Sequence, residues 1–349
     1  MTVTTGKSRS APRMIDVAAH AGVALGTVSN VLNKPAQVAP TTRKRVEASI
    51  AALGFVPNRA ARSLAAGTST TIGFVVTDLS NSFFVDMTRG AEREAEASGM
   101  AVLLANTDMR EGKQRGHLAL FSEERMAGIL LAPLPGTAEV ELGRRRPGQP
   151  LVMLNNDEVT GACTVGVDDE LGGYLATKHL LELGRRRLVF AGDPALARPV
   201  RRRLAGARRA VAETSGSASL EIMATDEIQV DDGRRVGHDL LGRDEAVRPD
   251  GVVAAADLLA LGIVQVLRGD SVLRIPQDIA VTGYDDNRSA WDSLVPITTL
   301  AQPGAEMGAA AVRLLLDELR ADSDPEVEHE HRHEVLRPHL VPRASSVGS

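Results

Sequence analysis

The stretch from Met14 to Asn33 constrains this 349-residue chain more than any other. Ile15, Val17, Ala18 and Ala21 recur at helical spacing. Asp16 stands in the first turn, where the helix dipole favours a carboxylate. Gly22 supplies a residue that takes positive φ at no steric cost, so it ends the helix and turns the chain. Val23, Val28 and Leu32 follow and can pack a second helix onto the first. A third helix is predicted from about Pro40 to Leu53, with Val46, Ile50 and Leu53 inward, closing a small core. The second helix is left with Leu25, Gly26, Thr27, Ser29, Asn30 and Asn33 facing outward, where they can reach base edges or phosphates in a major groove.

The charge pattern agrees. Residues 1–66 hold nine Lys/Arg and two acids, a net +7, while the remaining 31 basic and 43 acidic residues give −12. A positive head on a negative body suits phosphate contact through the head alone.

With these residues in view, the chain resembles the lac-repressor (LacI/GalR) family of transcription factors. The matching runs are Ile15-Asp16-Val17-Ala18, Ala21-Gly22-Val23, Thr27-Val28-Ser29, Val31-Leu32-Asn33, Leu53-Gly54-Phe55-Val56-Pro57-Asn58 and Ala61-Arg62-Ser63-Leu64. Asp78-Leu79-Ser80-Asn81, Val167-Asp168-Asp169, Gly283-Tyr284-Asp285-Asp286 and Ile297 to Pro303 continue the series, so the resemblance spans nearly the whole chain. It departs at Ala24 and Ala39, where the family usually or often has a hydroxyl opening a helix, and at Asn30, where many members carry Arg. Asn pairs bidentately with adenine where Arg prefers guanine, so base preference should differ from those relatives.

The resemblance implies three parts: a helix-turn-helix domain over 12–57, a hinge helix over 58–67, and an effector-binding and dimerisation body over 70–345. The hinge is too short to persist alone in water. By resemblance it orders on DNA, with Arg59 and Ala61 at the groove and Leu64 inserted as a wedge in the minor groove.

Roughly 280 residues remain after the head, enough for two lobes. Apolar runs at Thr71–Val76, Met100–Ala105, Gly128–Ala132, Pro150–Leu154, Arg187–Ala191, Gly251–Ala254 and Asp278–Thr282 read as buried parallel strands, with amphipathic helices between them. This is a doubly wound α/β pattern, in which ligands bind at the carboxyl ends of strands. The fold the family implies is a type I periplasmic-binding-protein-like body of two Rossmann-like lobes. Phe83 and Phe84 lie past the first body strand, where an aromatic ring can stack on a sugar or base, and Asn155 follows the Pro150–Leu154 strand. In the Arg198–Arg203 cluster, Arg203 best matches the family's ligand arginine and Arg201 is second. Asp285 resembles a ligand-contacting acid, and Gln302 lies near where the family's cleft closes. Trp291 follows closely enough to line the cleft or to pack on the surface. Ala256 stands where many relatives have Asn, so a polar cleft donor is expected to be missing.

No cofactor and no metal site are expected. His329, His331 and His333 alternate near the C-terminus, but the acids between them suggest a solvated edge, and the single cysteine, Cys163, reads as a buried side chain in a reducing, cytoplasmic setting. Residues 1–12 and 322–330 are expected to be disordered. A solute-binding protein with the same body should carry a signal peptide and lack the basic head, and a Rossmann-type enzyme should show a phosphate-binding glycine loop or an acid/base pair. Neither pattern is present. The expectation is therefore a homodimeric, ligand-responsive regulator that reads a pseudo-palindromic operator in double-stranded DNA, binds a sugar-like effector, touches no membrane and is not an enzyme. Effector binding is expected to move the lobes and so either release the repressor from its operator, by raising the off-rate, or recruit it there.

Overall fold

The computed structural model describes residues 12–56, 69–156, 159–269, 273–323 and 329–348. It divides into two compact units, 1–69 and 70–349.

The first unit contains α1 (Met14–Ala21), α2 (Leu25–Asn33) and α3 (Pro40–Leu53), with a short 3₁₀ turn over Pro35–Gln37. Val17, Ala18, Ala21, Val28, Val31, Val46 and Phe55 form its core. Gly22 takes φ 62° after α1, and the Val23 N–H then reaches back to the Ala18 carbonyl, which satisfies a helix-end acceptor. Gly54 ends α3 in the same way, and the turn carries Phe55 under the core. Ser49 is buried in α3, donating to the Arg45 carbonyl and meeting His20 Nδ1 at 3.0 Å, a polar tie that apolar periodicity does not reveal. Neither Ala24 nor Ala39 offers a side chain to cap α2 or α3. Ala39→Ser should therefore raise head stability by about 1 kcal/mol, read by thermal unfolding. An unchanged midpoint would show that the exposed N–H groups are already satisfied by water.

The second unit has two six-stranded sheets of matching order. The first runs β2 (Ala101–Asn106), β1 (Thr71–Val76), β3 (Gly128–Leu131), β4 (Leu151–Leu154), β5 (Thr164–Val167), β11 (His333–Leu336), all parallel. The second runs β7 (Ser219–Met223), β6 (Arg187–Ala191), β8 (Gly251–Ala254), β9 (Ala280–Asp285), β10 (Thr298–Ala301), β12 (His339–Val341), with only β12 antiparallel. The central strands are buried along their length, as strands covered on both faces must be. The chain changes lobes three times: between β5 and α7 (Asp169–Glu182), between β10 and α12 (Gly304–Ser323), and between β11 and β12. Asp322 and Ser323 close α12, and residues 329 and 330 lead into β11, so the expected disorder over 322–330 does not hold at either end. The rest of that stretch, and residues 1–11, lie outside the described residues.

Three helix pairs set the lobe geometry: α4 (Ser82–Ala97) with α12, α7 with α8 (Arg198–Ala212), and α9 (Val230–Gly242) with α10 (Asp257–Gly269). Each crossing rests on glycines from both helices. A Cβ at Gly90 would sit 1.9 Å from the Ala305 carbonyl oxygen, and one at Gly308 1.9 Å from that of Met87. Gly173 and Gly206 make the same close approach between α7 and α8, which places Asp169 beside Arg203. Backbones this close leave no space for a methyl group. Gly308→Ala is expected to cost at least about 1–3 kcal/mol by forcing α4 and α12 apart, measured by urea unfolding. A cost below about 0.5 kcal/mol would mean that the helices separate freely.

Candidate functional site

The outer face of α2 presents Leu25, Gly26, Asn30 and Asn33 to solvent, with Thr27 and Ser29 half-buried. Asn33 Nδ2 donates to Ser29 Oγ at 3.2 Å, so these two offer a paired polar edge one turn apart. A Cβ at Gly26 would meet no atom within 4 Å. The fold of the head does not require glycine there, yet glycine costs an exposed helix about 1 kcal/mol relative to alanine, as a position kept bare for close approach to a surface would. Arg59, Ala61 and Leu64 lie outside the described residues.

In the second unit, a cavity of about 720 Å³ opens between the two sheets. Its walls are the segments that leave the carboxyl ends of β1, β3, β4, β6, β8 and β9, where the reversal of strand order in each sheet creates a crevice. All seven candidates, Phe83, Phe84, Asn155, Arg201, Arg203, Asp285 and Gln302, line it. Phe83 and Phe84 supply an apolar wall, their rings tilted 59° with centroids 5.3 Å apart. Asn155 takes φ 55° at the end of β4, a left-handed conformation that Asn tolerates better than most residues. The Arg201 side chain belongs to an exposed residue at the cavity margin.

Arg203 is placed differently. It is buried, its Nε donates to Asp169 Oδ1 at 2.8 Å, its Nη1 donates to the Ala255 carbonyl at 2.7 Å, and its guanidinium lies 3.5 Å from the centre of the Tyr284 ring. Burial works against its charge, but the carboxylate of Asp169 and the neighbouring Tyr284 and Asp285 outweigh this and hold the guanidinium firmly protonated. Asp285 is the last residue of β9, not a loop residue beyond the strand as the sequence suggested. It sits at φ 106°, a conformation that costs a non-glycine residue strain and persists only where its surroundings impose it. Three neighbours do so: Asn81 Nδ2 donates to one carboxylate oxygen at 2.7 Å, Gln302 Nε2 donates to the other at 2.6 Å, and Arg203 Nη1 lies 3.8 Å away. Burial raises the pKa of Asp285, with the Arg203 charge opposing it. Asp257, buried beneath, is raised well above the usual carboxylate range by burial and then by the Asp285 charge.

Several of these bonds join the lobes. Asn81 belongs to the first lobe and Asp285 to the second, and Asn287 Nδ2 also donates to Asn81 Oδ1 at 3.1 Å. Gln229 Nε2 crosses to Asp78 at 3.0 Å, and the Arg288 backbone N–H reaches Ser82 Oγ at 3.0 Å. The segment Asp226–Gln229 was not among the candidates, because it follows β7, an edge strand whose polar alternation hides it from a search for apolar runs. Asp169 was also missed as the partner of Arg203. Its place at the start of α7 was a legible signal, since it directly follows the helix-capping Asp168.

Ala256 lines the cavity and offers no polar side chain. Trp291 does not line it: the ring is about half exposed, and its Nε1 donates to Asp286 at 2.6 Å. His329 and His331 are half-buried against Cys163, contrary to the expected solvated edge, because β11 pairs in parallel beside β5 and brings them inward. Only His333 of the three is exposed. No single helix among the described residues is long and apolar enough to cross a membrane.

A small helical head with a polar recognition face, joined to two lobes around a ligand-sized cleft, defines a ligand-responsive DNA-binding transcriptional repressor. Residues 13–58 match the model of bacterial regulatory proteins of the lacI family, and residues 177–346 match the periplasmic binding protein-like domain. The chain is 32% identical over 330 residues to the HTH-type transcriptional repressor PurR of Vibrio cholerae, covering 94% of this chain and 96% of the relative. It is 32% identical over 335 residues to the ribose operon repressor of Escherichia coli, covering 95% and 99%. Its structure is similar to that of a lac repressor dimer bound to operator and the anti-inducer ONPF, with a TM-score of 0.80 at 25% identity and coverage of 96% and 99%. The chain belongs to the lacI family.

Proposed function

We propose that the interlobe cavity takes a small polyhydroxylated effector, a sugar or sugar derivative, and that its occupancy sets how long the head stays on a pseudo-palindromic operator. The observation that carries this reading is the cavity itself: about 720 Å³, with the Phe83 and Phe84 rings on one side and Asn155, Arg201, Asp285 and Gln302 around it. Small-ligand sites combine such apolar walls with a few convergent polar groups. Bound sugars in related structures point the same way: a CelR regulator is described with cellobiose and an Enterococcus faecium family member with ribose. Arg203 acts mainly by holding Asp169 and Asp285 in place, and Arg201 is the freer of the two to meet a ligand.

The cross-lobe bonds at Asn81, Asp285 and Gln229 make lobe closure the natural response to a ligand. An effector shifts the equilibrium only by its difference in affinity for the two lobe arrangements. The DNA-binding set is Leu25, Gly26, Thr27, Ser29, Asn30 and Asn33 of α2, with Arg59, Ala61 and Leu64 in the hinge over 58–67, working in a homodimer so that two recognition helices read two half-sites. The chain acts by binding and not by catalysis, on cytoplasmic DNA.

A thermal-shift screen of the full chain against sugars, nucleosides and sugar phosphates tests this. A true effector raises Tm as its concentration passes Kd and changes the operator dissociation rate. A ligand that raises Tm and leaves that rate unchanged would make the body a binding module uncoupled from DNA. Absence of a shift with every compound would remove the sugar-class reading.

A further inference from the structure

One side-chain cluster lies away from both the recognition face and the cavity. At the start of β5, the Cys163 thiol is fully buried, with Sγ 3.3 Å from His329 Nε2 and 3.8 Å from His331 Nδ1. Glu318, in the last turns of α12, brings Oε2 to 3.9 Å from His329 Nε2. The four ligating atoms lie within 4.8 Å of one another, and no other such group of three or more occurs among the described residues. We propose that Cys163, Glu318, His329 and His331 form a four-coordinate site for a borderline-soft divalent transition metal of the Zn²⁺ class.

The geometry supports this. With Zn–S near 2.3 Å and Zn–N and Zn–O near 2.0–2.2 Å, a tetrahedron has donor–donor edges of roughly 3.3–3.6 Å. The separations of 3.3, 3.8 and 3.9 Å lie at or above that range and every pair is within 4.8 Å, so closure onto a metal needs the side chains to draw together by up to about an ångström. The chain reaches this arrangement through strand register. β11 pairs with β5 so that His333 stands opposite Thr164, and the residues just before each strand, Cys163 and the His329–Arg332 segment, meet at the sheet's end. Alternation along an extended segment puts His329 and His331 on one face, with ring centroids 5.1 Å apart.

A second observation points to a cation. Glu318 is 9% exposed, and its Oε2 has no hydrogen-bond partner, although it faces the cluster. A buried carboxylate oxygen without a partner is costly, and a metal would satisfy it. The outer contacts are those of a supported site: the Arg332 backbone N–H reaches Sγ at 3.4 Å, and Arg145 Nη1 lies 3.7 Å from Glu318 Oε1. Burial raises the pKa of both Cys163 and Glu318 and lowers that of His331. Metal ligation takes the thiolate, the carboxylate and unprotonated imidazole nitrogens, so binding is expected to strengthen as pH rises. One thiolate, two imidazoles and one carboxylate suit Zn²⁺ or Co²⁺ and not the all-oxygen preference of Ca²⁺ or Mg²⁺. Four protein ligands leave no open position, the mark of a structural site. The metal would join the start of β5, the end of α12 and the lead into β11, fixing the far end of the helix that begins two residues after Gln302.

The test uses the untagged full chain, reduced and stripped with chelator, titrated with Co²⁺ and then Zn²⁺. One Co²⁺ per chain is expected, with a thiolate-to-cobalt charge-transfer band and intense tetrahedral d–d absorption, both removed by Zn²⁺. Cys163→Ala should abolish the charge-transfer band. His329→Ala, at a half-buried position, should weaken binding beyond the roughly 10–100-fold that outer-shell partners contribute. His333→Ala and His339→Ala, which lie outside the cluster, should bind as the wild type does, and circular dichroism without metal should match for all variants. Absence of the charge-transfer band, or binding that His329→Ala leaves unchanged, overturns the proposal.

Discussion

Replacing Arg203 by methionine is expected to lower the stability of the body by about 3–5 kcal/mol, the cost of removing one partner from a buried ion pair. The size follows from what is left behind. Asp169 and Asp285 are both buried within reach of this one guanidinium, and the Ala255 carbonyl loses its donor at 2.7 Å. Two neighbouring carboxylates without a cation repel each other. Urea unfolding measures the loss, and a second substitution identifies its source. Asp169→Asn in the Arg203→Met background removes one orphaned charge and should recover a substantial part of the stability, whereas Asp169→Asn alone should destabilise. If the double variant is no more stable than Arg203→Met, the loss comes from packing of the guanidinium on Tyr284 and not from the charges. Because Asp285 also holds the Asn81 and Gln302 bonds, Arg203→Met should reduce the effector-induced rise in Tm as well.

The difference between Arg201 and Arg203 shows how far a sequence can be read here. Three arginines in a row at a helix start are equivalent as residue types. Which one turns inward depends on where α8 crosses α7, and the Gly173–Gly206 approach sets that crossing. Nothing local to the arginines specifies it. By contrast, the three helices of the head were legible, because they are short, two of them end at glycines and they carry most of their core at helical spacing, although Ile15, read into the apolar stripe of α1, is exposed. The buried strands β5 and β10 were missed, because Thr164, Gly166, Thr298 and Thr299 interrupt their apolar runs; β1, β3, β4, β6, β8 and β9, and the edge strand β2, were legible as apolar runs bounded by turns. The edge strands β7, β11 and β12 were not, since their burial alternates and pairing alone makes them strands. That gap had a consequence. Without β11 beside β5, His329 and His331 read as a solvated tail, and Cys163, more than 160 residues earlier, had no visible partner.

Operator affinity should fall by about 10³–10⁵ between 50 and 200 mM salt, the loss expected when six to ten phosphate contacts release their counterions. The head carries nine Lys/Arg against two acids, and a dimer brings two such heads to one operator, so enough cations are available. A slope near zero would mean that the positive unit does not grip the duplex backbone. Sequence readout is a separate quantity and needs its own variant. Asn30 is exposed on α2, and no protein hydrogen bond involving its side chain is found among the described residues, so its amide is open to an outside partner. Asn30→Arg should exchange a preference for adenine for one favouring guanine at one symmetric position of each half-site, a change of about 1–3 kcal/mol per half-site. Selection from a randomised operator library reads that switch directly. If Asn30 instead meets phosphate, the variant gains affinity for all sequences alike and the salt slope steepens by about one charge per head. The two outcomes differ in both readouts, so the pair of measurements assigns the contact whichever way it falls.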